Sequence, residues 1–326
     1  MNKYFPLVTI AIPTYNRANT FLRFSLESAL KQTYPNIEII VADNCSTDNT
    51  EELVKSYKDN RIRYFRHDKN IGANNNFNFC LEQARGDNFQ LLQDDDLIDE
   101  DFIETCINKL NQNGGETGII RTGTRIIDSE GNIISEVPNL VEGLSTKEFF
   151  LGWFANKTSP YLCSTLFNTK SLKELGGFGS KHNLFQDVLA EFQLAAKRGR
   201  IDIQDIKASF RRHSGEMTFT AKVRDWCEDS LMLLDVMCEL VQENVIIRTE
   251  GMRFFSKLNY NRARAVKSPF ERFIAYLTVF KKFNYHYLPS KDHFLSPVYE
   301  LLEGTPLYNG LRLIKKRATG LIRRMT

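Results

Sequence analysis

The 326-residue chain, 42% hydrophobic and 25% charged, has the composition of a globular protein with room for one large domain and an appendage. Its net charge of +3 does not by itself point to nucleic acid, and its six cysteines, with no C-x-x-C pair, argue for reduced buried thiols over a disulfide frame or zinc site. No apolar run reaches membrane-spanning length, and the opening MNKYFPLVTIAIP lacks a small-residue cleavage site, so neither a membrane span nor a signal peptide is expected.

In chain order, Val8 to Ile12 is an apolar strand stopped by Pro13. Asn16 to Thr20 offers polar capping groups for a helix, because Phe21, Leu22, Leu26, Ala29 and Leu30 recur at helical spacing. Ile37 to Ala42 is a second strand ending at Asp43, with Ser46 and Thr47 placed to cap a helix through Tyr57. Ile62 to Phe65 forms a third strand and Gly72 to Ala84 a second long helical pattern. Phe89, Leu91 and Leu92 then lead to Asp94, Asp95 and Asp96, followed by a helix from about Asp99 to Leu110. This repeated alternation of strand and helix predicts a parallel sheet with helices on both faces, whose ligands bind at the carboxyl ends of the strands. Tyr15, Asn16, Asp43, Asn44 and the aspartate triplet all fall at that edge.

Three adjacent carboxylates repel one another and resist burial, so a cation is expected to neutralise them. Hard oxygen ligands suit Mg²⁺ or Mn²⁺, ions that arrive with phosphate-bearing substrates. The competing reading is a solvated acidic turn capping the next helix, continued by Asp99, Glu100 and Asp101. The turn after the first strand, PTYNRANT, has no glycine, which excludes both a dinucleotide fingerprint and a P-loop.

VTIAIPTYNR, EIIVADNCSTDNT and NIGANNNFNFCLEQARGDNFQLLQDDDL, in this order and spacing, resemble the nucleotide-binding half of family 2 glycosyltransferases. The likeness covers about residues 7 to 112 and continues more weakly to about residue 215. It implies the GT-A fold, a Rossmann-like, mostly parallel sheet flanked by helices. It also implies inverting sugar transfer from a nucleotide-diphosphate sugar with Mn²⁺ or Mg²⁺. By resemblance, Pro13, Thr14 and Tyr15, with Asn16 beside them, form the loop around the nucleobase. Asp43 matches the aspartate that accepts from the ring N–H of uracil or thymine, its alternative role being a helix cap near Ser46. Asn70 and Gly72 match an NxG loop that holds the donor. Asp94 matches a ribose-facing position and Asp95 a metal-facing one, with Asp96 a further metal ligand. Two departures stand out: Gln93 replaces the first aspartate of the metal motif, and Phe77 an arginine before Asn78, which leaves uridine, thymidine and cytidine donors open.

Beyond Leu110, Ile119 to Ile127 and Ile133 to Ile134 suggest strands around a turn at Ser129 to Asn132. Phe149, Phe150, Trp153, Phe154 and Tyr161 form either core or a sugar-stacking wall, with core favoured. STLFNTKSLKELGGF resembles the family segment that precedes the catalytic base. The base usually lies in a Glu-Asp pair, here Gln186-Asp187, so Asp187 is the expected base and Glu191 the fallback; the bland alternative is a helix-capping Asp187. FRRHSGEM matches a basic loop with a histidine, which puts His213 near the metal and Arg211 or Arg212 near diphosphate oxygens.

Trp226 to Ile247 is helical in pattern, Phe270 to Phe283 mixes aromatics and aliphatics with Lys281 and Lys282, and the closing GLRLIKKRATGLIRRMT reads as a basic amphipathic helix at a membrane surface. A plain solvated helix and a nucleic-acid contact are its alternatives. The expected division is a GT-A catalytic domain over 1–222 and a mainly helical region with the basic tail over 223–326. The expected activity is transfer from a UDP- or dTDP-sugar to a hydroxyl of a glycan or lipid-linked acceptor in cell-surface polysaccharide or lipopolysaccharide synthesis. That activity implies a cytoplasmic protein touching the inner face of the membrane. Alternatives are a non-catalytic sugar-nucleotide-binding protein and a sugar nucleotidyltransferase; the latter should carry a Gly-rich, arginine-bearing first loop, which this sequence lacks.

Overall fold

The computed structural model describes residues 5–213, 221–242 and 244–284; the basic tail and the loop after His213 lie outside them. The elements are β1 (Val8–Thr14), α1 (Leu22–Leu30), β2 (Ile37–Asp43), α2 (Thr50–Ser56), β3 (Ile62–Arg66), α3 (Ala73–Gln83) and β4 (Asn88–Leu91). There follow β5 (Leu97–Ile98), α4 (Phe102–Gln112), β6 (Ile119–Ile127), β7 (Ile133–Val137), α5 (Thr146–Phe154), β8 (Thr165–Asn168), α6 (Thr169–Leu175), α7 (Gln186–Arg198) and β9 (Arg200–Arg211). Three longer helices close the described chain: α8 (Val223–Glu239), α9 (Val245–Arg264) and α10 (Pro269–Lys282).

β1 and β2 are buried along their whole lengths, as unbroken apolar runs require when helices cover both faces. They pair in parallel in register from Val8 with Ile37 to Thr14 with Asp43, so both chains leave the sheet at the same level. The strand order is β3-β2-β1-β4-β8-β6-β9-β5, with β7 on β6. The parallel pattern expected from the first half holds among β1 to β4, and the sheet is mixed beyond it. β8 enters antiparallel between β4 and β6, while β6 and β9 are parallel. Ile10, Ile12, Ile39, Val41 and Leu92 meet the apolar faces of α1 and α4 in one core, to which α4 contributes Phe102, Ile103, Cys106, Ile107 and Leu110.

Two helix starts differ from the sequence expectation. α1 begins after Phe21 with no side-chain cap, because Asn16 turns away to accept the Thr47 N–H. Ser46 and Thr47 do not cap α2; the Asp48 carboxylate accepts the Thr50 N–H instead. All six cysteines are free, and five are buried.

Two compact units emerge, Met1–Thr220 with Leu233–Arg248, and Ala221–Met232 with Thr249–Thr326. Inside the second, buried Asn259 donates to Ser230 Oγ and the Arg262 guanidinium lies 3.5 Å from the centre of the Trp226 ring. Among the described residues no helix is long and apolar enough to cross a membrane.

Candidate active site

The carboxyl edge of β1, β2 and β4 gathers most of the residues singled out by sequence. Asp43 ends β2 fully buried, where Oδ1 accepts the Ser46 N–H at 2.8 Å and Oδ2 the Tyr64 hydroxyl at 2.6 Å. Arg66 Nε stands 3.6 Å from the same carboxylate. Burial, then the hydrogen bond to Asp43, pushes the Tyr64 phenol upward, so Tyr64 remains a donor. A cavity of about 360 Å³ opens here, lined by Asp43, Ser46, Asp48, Glu51, Glu52, Lys55 and Arg66.

Three asparagines tie the surrounding loops together. Asn16, at φ +55°, donates its backbone N–H to Ser46 Oγ, beside exposed Tyr15. Asn44 accepts the Ile71 N–H and donates to Asn70 Oδ1, which also accepts the Gly72 N–H. Gly72, at φ +83°, occupies backbone space that a Cβ disfavours and opens α3. The NxG loop is thereby fixed to the exit of β2. Pro13 and Thr14 are buried at the end of β1.

The three aspartates of the triplet diverge. Asp94 faces the β1 loop, where the Thr14 side chain and the Tyr15 N–H draw its pKa down and Arg17 Nε stands at 4.0 Å. Burial, reinforced by Asp95, raises its pKa to about 7. Asp95 Oδ2 lies 2.9 Å from His213 Nε2. Asp96 is fully buried, and its Oδ1 accepts the Arg211 N–H at 2.9 Å. Desolvation, then Asp95, pushes the Asp96 carboxyl well above the ordinary range. The expected trio of Asp95, Asp96 and His213 is thus separated into a facing pair and an inward residue. Among the described residues no three His, Cys, Asp or Glu side chains converge on one metal position.

Arg211 is also placed differently from its expected role on diphosphate oxygens. It is 4% exposed, donates from Nε to the Asp95 carbonyl and from Nη1 to the Asp128 and Ser129 carbonyls, and stacks on Phe21. Those bonds hold the aspartate turn against β9. Phe77, in place of an arginine, is a core residue set edge-on to Phe178.

Asp187 lies in the first turn of α7, partly open to solvent. Desolvation lifts its pKa to about 6 against the pull of the Val188 and Asp187 N–H groups, and no side chain caps the helix at Phe185. Glu191, the fallback base, is sealed: it and Arg121 are both fully buried, with Arg121 Nε 3.1 Å from Glu191 Oε2. Arg121 Nη2 donates to the Ser159 carbonyl, and its guanidinium covers the Phe149 ring. Burial raises Glu191 to about 8 while Arg121 pulls it down. Glu191 has no exposed surface and directs its carboxylate at Arg121. Phe149, Phe150 and Trp153 pack on Phe192, so these aromatics are core.

Tyr64 and Arg17 escaped the sequence reading. The motif PTYNR displays Arg17, but only the fold brings it to Asp94; Tyr64 aligns with Val41 in the β2–β3 register, two residues before Asp43.

Acidic loops converging at the carboxyl edge of a Rossmann-like mixed sheet define an α/β protein of the GT-A type. The chain matches Glycosyl transferase family 2 over residues 9–176, just over half its length, and belongs to that family. It is 36% identical over 196 residues to an uncharacterized glycosyltransferase of Rickettsia felis, covering 57% of this chain and 31% of the relative. It is 30% identical over 178 residues to a GalNAc(5)-diNAcBac-PP-undecaprenol beta-1,3-glucosyltransferase of Campylobacter jejuni, covering 52% of this chain and 55% of that one. The chain spans less than half the length of the Rickettsia glycosyltransferases it matches. In fold it resembles S. aureus TarS 1-349 in complex with UDP-GlcNAc, with TM-score 0.57, 16% identity, and coverage of 91% of this chain and 92% of that one.

Proposed function

We propose that the protein transfers a sugar, with inversion, from a UDP- or dTDP-sugar to a hydroxyl of a glycan or lipid-linked acceptor in cell-surface polysaccharide synthesis. The observation that carries this reading is the meeting of Asp43, Asp94 and the Asp95–His213 pair at one sheet edge, in a chain of this family. Asp43 receives the ring N–H of the base, Asp94 faces the ribose, and Asp187 takes the proton of the attacking hydroxyl. The Campylobacter relative's undecaprenol-linked name supports a lipid-linked acceptor.

The donor set at the aspartate turn fits a divalent cation completed by substrate. Asp95 and His213 supply two ligands within reach of one ion, and Mg²⁺ or Mn²⁺ commonly takes one or two protein ligands plus diphosphate oxygens and water. Bound there, the ion would neutralise charge on the leaving diphosphate. Asp96 would shape the turn from behind, through the Arg211 N–H, rather than join that shell.

A thermal-shift panel of UDP-, dTDP-, CDP- and GDP-sugars with and without Mn²⁺ tests the assignment, and no stabilisation by any of them would refute it. In calorimetry, UDP is expected to bind at least ~10-fold more weakly in EDTA than with Mn²⁺, because diphosphate and carboxylates then face each other unscreened. Equal affinities would remove the metal from the reading.

Base selection follows from the Asp43 hydrogen bonds. Both oxygens already accept one bond, and a carboxylate with about four lone-pair sites has room for a base N–H. Cytosine offers an acceptor at that ring position, so UDP is expected to outbind CDP by ~10-fold or more. Asp43→Asn, able to present an amide donor, should narrow or reverse that ratio. Tight CDP binding to the unaltered protein would contradict the role.

A further inference from the structure

Among the described residues nothing covers an apolar row of α10. The helix starts from Ser268, whose Oγ accepts the Glu271 N–H, and it buries Ala275, Tyr276 and Val279 on one side. On another face Phe270, Ile274 and Leu277 are 61%, 47% and 39% exposed. Steps of four and three residues place them in a single row along the helix. Exposed lysines continue the row at both ends, Lys267 just before the helix and Lys281 one turn past Leu277. Exposed Arg264 adds positive charge at the start, and Glu271, the only acidic residue of α10, sits at the cap.

Such a row calls for an occupant that is apolar along its middle and negative at its ends. A second copy of the helix does not supply this. Parallel pairing sets each lysine against its twin, and antiparallel pairing sets Lys267 against Lys281, both like-charge contacts. Residues 310–326 do not supply it either, since they carry six basic residues and no acidic one, whereas residues 285–309, with Asp292, Glu300 and Glu303 among apolar residues, are the rival that the test separates. An anionic bilayer does: its acyl region takes the three apolar side chains, while lysine stems lie along apolar surface and their ammonium groups reach the headgroups.

We propose that Phe270, Ile274 and Leu277, bracketed by Lys267 and Lys281, form a membrane-surface contact that lays α10 on an anionic lipid bilayer. The contact is independent of the donor and base assignments above, so either can fail without the other.

The test uses the full chain with vesicles of phosphatidylglycerol and phosphatidylethanolamine, and with phosphatidylcholine vesicles for comparison. Sedimentation with the anionic vesicles is expected, falling with salt and weak with phosphatidylcholine. The combined variant Phe270→Ser, Ile274→Ser and Leu277→Ser should lower the partition coefficient by ~10-fold or more, since each lost side chain removes apolar area from the lipid. Ile274 and Leu277 are partly buried, so its melting temperature should fall only slightly, and Phe270→Ser alone, at the most exposed position, should weaken sedimentation with the melting temperature unchanged. Ile274→Trp adds a direct readout: the indole at position 274 should shift to the blue and be quenched by brominated lipid. Equal sedimentation of the triple variant, or an indole blind to brominated lipid, would overturn the proposal, and a large fall in melting temperature beside it would assign the row to residues 285–309. A dimer in light scattering that the triple variant loses would assign the row to a second copy instead, and equal binding to phosphatidylcholine would remove the anionic requirement.

Discussion

Replacing Asp187 by asparagine is expected to slow sugar transfer by ~10²- to 10⁴-fold while leaving the donor dissociation constant unchanged. Asparagine keeps the size and one acceptor oxygen but takes no proton at neutral pH. Asp187 opens α7, on a different element from the loops that hold Asp43 and Asp94, so donor affinity should not register its loss. The pH profile gives a second readout. With the carboxyl raised to about 6, a base there is protonated and idle below that value and free above it. Transfer should therefore climb with pH through about 6, and the Asn variant should lose that limb. Initial rates and donor calorimetry from pH 5 to 8 decide the matter. Near-normal turnover of Asp187→Asn would place the base elsewhere, and not at Glu191, which has no exposed surface.

Arg121→Met is expected to cost ~3–5 kcal/mol of stability above about pH 8, where it strands a buried carboxylate. Arg121 binds Glu191, the Ser159 carbonyl and the face of Phe149 at once, joining β6, α7 and the loop after α5. Without it, Glu191 escapes isolation by taking a proton, a path that its upward-shifted pKa already favours. The loss should therefore grow as pH rises above about 8 and shrink below it. Pairing Arg121→Met with Glu191→Leu removes both charges and should recover much of the deficit. Urea unfolding of the two single variants and the double variant at pH 6 and 9 measures this. A single-variant loss under about 1 kcal/mol at both values would show the pair contributes little.

The first half of the fold was legible because burial on both faces writes itself into β1 and β2 as uninterrupted apolar runs. Their common exit level followed from parallel pairing, which located Asp43 and the triplet at one edge. The second half lacked such a signal. β9, RIDIQDIKASFR, carries charges through its length because Arg200 and Asp202 pair with each other and Lys207 reaches Asp101, so it does not read as an apolar strand. The insertion of β8 between β4 and β6 depends on contacts distant in sequence. At the site, three identical aspartates look equivalent in one dimension. Only the turn geometry sends Asp94 to β1, Asp95 to His213 and Asp96 inward. The Arg121–Glu191 pair joins residues with no local pattern between them, so Glu191 kept its place as a fallback until its burial was seen.

The aspartate turn is clamped to β9 by the two-residue β5, by Arg211 and by His213, across separations of 115 and 118 residues. The Asp43 end, by contrast, closes among Asn16, Asp43, Tyr64 and Asn70, all near the start of the chain. Loop closure makes distant contacts slower to form than near ones. The Asp43 loops therefore need only short-range pairing, whereas the aspartate turn depends on the last strand of the sheet. Under the proposed function, a chain whose β9 had not docked would keep its Asp43 loops and lack the anchors of the aspartate turn, so full donor affinity would report a completed sheet.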